Sequence, residues 1–220
     1  MAHVDFITSV HTSTTRDYVG RVTSHDKAEC AEIACRFGQE YWDGDRHLGY
    51  GGYRYDGRWR KVAEAMVRHY GLKPGARILD VGCGKGFLLY EFTQVLPGAQ
   101  VAGIDISAYA IEHAKPEIQP FLQVGTAASL PYPDKAFDFV VSLNTLHNLY
   151  INDLFSALRE IERVGAGSKH VCIEAYRDER EKANLLYWQL TCRAFHTPEE
   201  WEWIFDQAGY SGDYSYITFN

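Results

Sequence analysis

The sequence has no apolar run approaching the roughly 20 residues that cross a membrane. It has no run of Lys or Arg either. Its 22 basic residues are outnumbered by 29 acidic ones, for a net charge of −7 spread along the chain. A phosphate backbone is bound through a basic surface, so tight nucleic-acid binding is not expected. The five cysteines (Cys30, Cys35, Cys83, Cys172 and Cys192) are odd in number and form no C-x-x-C pair. That argues against a disulfide framework or a zinc site, so reduced thiols and no metal are expected. The opening Met1-Ala2-His3-Val4-Asp5 shows no basic segment followed by an apolar one, so a secretory signal is not expected and a cytoplasmic protein is. At 220 residues the chain suffices for one α/β domain with an appendage.

What the chain does have is the stretch Arg77-Ile78-Leu79-Asp80-Val81-Gly82-Cys83-Gly84-Lys85-Gly86-Phe87-Leu88-Leu89. A short apolar run, glycines on alternate positions and a second apolar run read as a buried strand, a tight turn and a helix start. Such a turn presents the unpaired N–H groups of a helix N-terminus to a ligand. The dinucleotide pattern G-x-G-x-x-G fails in both registers, because Phe87 and Leu89 stand where its third glycine belongs. The residues spell D-x-G-x-G-x-G instead. About 20 residues on, the spacing at which an acidic residue binds ribose hydroxyls, Val101-Ala102-Gly103-Ile104-Asp105-Ile106 ends a second strand on Asp105.

These two elements resemble the class I S-adenosylmethionine-dependent methyltransferases. Residues 125–138, from Gly125-Thr126-Ala127 through Leu130-Pro131-Tyr132 to Phe137-Asp138, resemble a further segment of that family, with Thr126 where the family usually has Asp. The resemblance covers residues 59 to about 165 well and 196 to 219 loosely. It implies a doubly wound, mostly parallel sheet of the seven-stranded type, in the order 3-2-1-4-5-7-6 with strand 7 antiparallel. Helices flank both faces, and one terminal strand is missing, supplied by the N-terminal segment or formed from residues read as loop, because only one strand's worth of residues follows Gly209. It implies S-adenosylmethionine as cofactor and S-adenosylhomocysteine as product, contacted by Asp80, Gly82, Cys83, Gly84, Gly86, Asp105, Ile106, Thr126, Ala127 and Asn144.

The α/β alternation supports this reading independently: strands near 77–81, 100–105, 120–124, 137–143, 170–175 and 213–219 are separated by helical patterns. Val4 to Val10 reads as a short strand. Ser24 reads as the cap of a helix running to Gly38, and Asp56 as the cap of a helix with Trp59, Val62, Ala63 and Met66 on one stripe. Trp188 and Trp201 lie on helical patterns as core or interface residues, and a homodimer is compatible with them. Residues 41–59 carry six aromatics, five glycines and three arginines without any period. Exposing so many aromatics is unfavourable, so a loop folded over the site is expected. This divides the chain into an N-terminal extension and lid, 1–58, and a cofactor-binding domain, 59–220. Tyr18, Tyr50, Tyr53 and Arg54 are the substrate or lid candidates, and Arg46, Arg54 and Arg58 are equivalent candidates for the cofactor carboxylate.

Methyl transfer from a sulfonium is a displacement on an activated donor, so the protein must chiefly align the partners and exclude water. His147, just past the fourth strand, is the candidate general base, and Glu174, ending the fifth, the candidate acceptor ligand. The expected function is methyl transfer to an O, N or C atom of a small molecule. The alternatives are a protein or RNA methyltransferase, a protein that uses the cofactor for other chemistry, and a non-catalytic binding module.

Overall fold

A computed structural model describes residues 1–11 and 16–220; the four residues between them, part of the expected lid segment, lie outside the described residues. Six strands form one sheet: β1 (Arg77–Val81), β2 (Gln100–Asp105), β3 (Leu122–Val124), β4 (Phe137–Leu143), β5 (Gly165–Glu174) and β6 (Asp213–Ile217). Their order is β3-β2-β1-β4-β5-β6. Four short helices precede the sheet: α1 (Thr8–His11), α2 (Tyr18–Thr23), α3 (Lys27–Ala34) and α4 (Gln39–Trp42). The sheet helices are α5 (Arg60–His69), α6 (Phe87–Val95), α7 (Ala108–Glu112), α8 (Ile151–Val164), α9 (Glu179–Trp188) and α10 (Pro198–Ala208).

Alternation along each strand sorts its side chains into two cores. Leu79, Val81, Val140, Val171 and Ile173 face α8 and α10, meeting Leu154, Leu158, Trp201 and Phe205. Ile78, Phe139, Val141 and Cys172 face the other way, toward Val62, Met66, Leu89, Phe92 and Leu185 of α5, α6 and α9. The sheet is thus covered on both faces, as the continuous apolar strands require.

Every pairing between named strands is parallel, including β5 with β6. The antiparallel strand expected between them is absent. The N-terminal segment takes the outer edge instead: His3 bridges Tyr214, the Val4 amide donates to the Tyr214 carbonyl, and the Tyr214 amide donates to the Ala2 carbonyl. This single bridge replaces the strand expected over Val4 to Val10, where α1 begins at Thr8. Two caps also differ from expectation. Asp26, not Ser24, caps α3 by accepting from the Ala28 and Glu29 amides, and Ser24 closes α2. Asp56 caps no helix, because its carboxylate is engaged by the amide and guanidinium of Arg58. The capping box at Thr197 and Glu200, and the left-handed stop at Gly209, are as the sequence implies.

Gly86 opens α6 with φ 71°. It lies against the sheet rather than a cavity: a Cβ there would sit 2.8 Å from Ile118 and 3.0 Å from Leu122. Gly86 is not among the residues that line the cavity at the carboxyl ends of the strands, and it packs against Ile118 and Leu122. Gly86→Val combines left-handed strain with overpacking and is expected to cost about 2–4 kcal/mol. Thermal unfolding checks this; an unchanged melting temperature would contradict the packing assignment.

Candidate active site

The carboxyl ends of β1, β2 and β4 open on a cavity of about 300 Å³. This is where an open parallel sheet binds ligands, at the switch in strand order beside β1. Asp80, Gly82, Cys83, Gly84, Asp105, Ile106, Thr126, Ala127 and Asn144 all line it, so nine of the ten expected cofactor positions converge.

Asp105 ties the end of β2 to the glycine turn. One carboxylate oxygen accepts from the Gly84 amide at 2.7 Å and the other from the Ser107 amide at 2.8 Å. Burial pushes its pKa up, while those two amide bonds pull it down. Asp80 is also buried, takes no hydrogen bond from the described residues, and is pushed up to about 8 by burial and by the charge of Asp105. The acidic residues lining this cavity are Asp80, Asp105 and Asp153; among the described residues no Lys, Arg or His lines it. Such a site favours a cation.

Gly84 is the floor of the cradle. Its φ is 54°, and a Cβ there would come within 2.9 Å of the Trp42 ring. Trp42 belongs to the segment that roofs the cavity. Its indole donates to Ser107 Oγ at 2.9 Å. The next residue, Asp43, receives Lys85 Nζ at 2.6 and 2.8 Å and the Tyr109 hydroxyl at 2.9 Å. Trp42, Tyr50, Tyr53 and Phe87 then stack in succession, with ring centroids 4.6 to 5.3 Å apart. Residues 41–59 are thus pinned to the glycine turn by one ion pair and a row of aromatics. Trp42 and Trp59 also line the cavity; the sequence marked Trp42 only by its aromatic surroundings and Trp59 by these and by a helical stripe.

A second cavity, of about 360 Å³, adjoins the first. Tyr41, Tyr50, Tyr53, Trp59, Asn144 and Asn148 line both. Asn144 sits between them with φ 59°, and its side-chain oxygen is buried without a partner. A left-handed non-glycine residue with an orphan acceptor is strain of the kind that ligand sites hold.

His147 and Glu174 line the second cavity, and the structure brings them together: His147 Nε2 lies 3.5 Å from Glu174 Oε2. The Glu174 amide donates to His147 Nδ1 at 3.3 Å. That occupies the lone pair of the neutral ring and leaves the proton on Nε2. Burial holds the His147 pKa down to about 3, helped by His11. The expected base therefore has no free lone pair and little affinity for a proton. Glu174 is the converse: burial lifts its pKa to about 8, against the donation from Gln189 and the charge of Arg16.

Arg46, Arg54 and Arg58 line the second cavity and not the first. Tyr18 lines neither: its hydroxyl donates to the Asn220 carbonyl at 3.2 Å and its ring packs edge-on against Trp188. Those contacts tie α2 to the C-terminus and to α9. Among the described residues, no helix is long and apolar enough to cross a membrane.

Residues 79–172 match a methyltransferase domain family. That stretch is similar to methyltransferase domains, and the curated relatives the chain resembles are named as methyltransferases. Over 128 residues it is 36% identical to a demethylmenaquinone methyltransferase of Symbiobacterium thermophilum, covering 54% of this chain and 50% of that one. The chain spans about half the length of the curated relatives it matches first. The YcgJ protein of Bacillus subtilis is 25% identical, with a TM-score of 0.54 over 66% of each chain. The [4+2]-cyclase SpnF, at 22% identity, has a TM-score of 0.54 over 87% of this chain and 69% of that one, which is a likeness of fold. The methyltransferase match begins at Leu79 and ends at Cys172, so it takes in the glycine turn and Asp105 but not the roofing segment.

Asp43→Ala removes charge-assisted bonds from Lys85 and Tyr109. It is expected to raise amide exchange across residues 41–59 by roughly 10–100-fold, the equivalent of about 1.5–3 kcal/mol. Exchange measured by mass spectrometry checks it; equal protection in both proteins would show that the aromatic row alone holds the segment.

Proposed function

We propose that this protein transfers a methyl group from S-adenosylmethionine to a small molecule, with the cofactor in the acidic cavity and the acceptor in the adjoining one. The observation that carries the reading is the pairing of the Gly84 cradle with Asp105, beside an unpartnered Asp80. When bound, the cofactor supplies a methyl group already activated on a sulfonium. Asp105 retains lone pairs on both oxygens after its amide bonds and can accept two ribose hydroxyls. Asp80 offers a carboxylate to positive charge. Ile106, 57% exposed at the rim, offers an apolar face to the base. Thr126 Oγ1 is engaged by the Ala128 amide at 3.2 Å, and its hydroxyl proton remains to be donated, where the family's Asp could only accept.

Residues 1–58 act as lid and acceptor-binding extension, and 59–220 as the cofactor domain. Tyr41, Trp42, Tyr50 and Tyr53 exclude water from the junction of the two cavities, which is what a displacement reaction needs most. Where the acceptor must lose a proton, we assign the task to Glu174, whose raised pKa suits it to hold one near neutrality. His147 Nε2 lies 3.5 Å from Glu174 Oε2, which is buried without a hydrogen-bond partner and so open to a proton from the acceptor. The named relative acts on demethylmenaquinone, a small-molecule acceptor, which supports that class over a macromolecule. The basic lining of the second cavity does not suit an apolar quinone tail.

Calorimetry on the purified protein is expected to give S-adenosylmethionine and S-adenosylhomocysteine binding and no comparable NAD binding. Asp105→Ala should weaken both sulfur nucleosides by about 1.5–3 kcal/mol. A cation favours ionised Asp80, so binding of S-adenosylmethionine should release a proton below pH 8 and tighten as pH rises toward that value. NAD binding more tightly than either nucleoside would sink the assignment.

A further inference from the structure

Three arginines of the second cavity gather on one indole. The guanidinium carbons of Arg16, Arg21 and Arg46 lie 5.9, 5.2 and 5.3 Å from the centroid of Trp188. Arg16 also lies 4.8 Å from the Phe219 ring. None of the three pairs with a carboxylate among the described residues, whereas Arg58, Arg60, Arg77, Arg163 and Arg177 all do. Glu174 is the acidic side chain lining this cavity. In a chain of net charge −7, unpaired guanidinium groups have carboxylates in abundance to choose from, so their concentration in one enclosed space is a local reversal of sign.

Their donors are held ready. Arg21 is fixed by two backbone carbonyls, Nε to Trp188 at 3.2 Å and Nη1 to Arg46 at 2.7 Å. Arg46 is fixed by the carbonyl of Gly49. Arg16 donates to no described residue, and its Nε is buried without a partner. A buried guanidinium N–H without an acceptor is costly, and three like charges around one ring repel one another. Both penalties vanish when an anion enters. Cation–π contact with Trp188 fixes the guanidinium groups without using their N–H donors.

The size of the anion follows from the donors left over. A carboxylate has two oxygens and matches one guanidinium in a bidentate pair. Three guanidinium groups with free N–H donors call for more acceptor oxygens and more charge, as a phosphate monoester supplies with three oxygens and nearly two charges. Taking the methyltransferase reading as its basis, we propose that the acceptor is a phosphorylated small molecule whose phosphate is held by Arg16, Arg21 and Arg46 beside Trp188. Its methyl-accepting atom then lies toward Asn144, where the two cavities join. This divides the labour by charge: the acidic cavity takes the cationic donor, and the basic one takes the anionic acceptor.

Inorganic pyrophosphate is the probe, titrated by calorimetry into the full chain with and without S-adenosylhomocysteine, alongside malonate as a dicarboxylate. Pyrophosphate should bind more tightly than malonate, and more weakly as salt is raised. Arg16→Gln and Arg46→Gln should each weaken pyrophosphate at least tenfold while leaving S-adenosylhomocysteine affinity within twofold, which also reports that the variants fold. Arg16→Lys, which keeps the charge, should retain most of the binding. Tighter malonate binding would overturn the phosphate assignment. Pyrophosphate binding indifferent to both glutamine substitutions would overturn the site. So would a loss of S-adenosylhomocysteine affinity in those variants, since the arginines would then be holding the nucleoside. Arginine-dependent pyrophosphate binding in a chain that binds no S-adenosylhomocysteine would uphold the anion site and overturn the methyltransferase reading alone.

Discussion

The bond from the Gly84 amide to the Asp105 carboxylate, 2.7 Å long, is the constraint on which the site depends. It joins the turn after β1 to the end of β2, the two places where the chain leaves the sheet beside the switch in strand order. Glycine is required at its donor end, because a side chain there would strike Trp42. Trp42 is in turn held by Ser107, whose amide binds the same Asp105 carboxylate. Turn, strand end, helix cap and roof are therefore joined by a chain of hydrogen bonds through a single buried acid, and the roof packs back on the turn. A change at Asp105 reaches all four.

A buried acid is costly unless something stabilises its charge. Asp105 has two amides; Asp80 has none, and its pKa rises accordingly. The second cavity carries the opposite imbalance, with guanidinium groups lacking carboxylates. Each half of the site is therefore incomplete in its own sign of charge, and each is completed by a ligand of the other sign. Asn144, left-handed and with an unpaired oxygen, stands at the boundary. The fold alone does not dictate this arrangement.

The sheet and cofactor cavity were legible in the sequence because they rest on local patterns. Alternate glycines after a strand, and an acid ending the next one, are contiguous signals, and they placed six of the nine lining residues; Thr126, Ala127 and Asn144 followed from the family resemblance. The edge of the sheet was less legible. Nothing local in Asp213–Ile217 says that it runs parallel to β5, or that Ala2 to Val4 will cover its far side. Gly86 looked like its neighbours in the motif, yet its outlook onto Ile118 and Leu122 is a tertiary fact. His147 lies just past β4, but its protonation depends on an amide 27 residues away. The arginine cluster was least visible. Arg16, Arg21 and Arg46 come from three segments and meet only because Trp188, at the end of α9, provides the surface on which they rest.

We place the nucleoside in the acidic cavity, its reactive end toward Asn144 and the basic cavity beyond. A crystal structure with S-adenosylhomocysteine is the decisive measurement. Both ribose hydroxyls are expected within hydrogen-bond distance of Asp105, the sulfur facing Asn144, and Arg16, Arg21 and Arg46 free of the ligand. A nucleoside seated elsewhere, or one whose carboxylate is clamped by those three arginines, would contradict it.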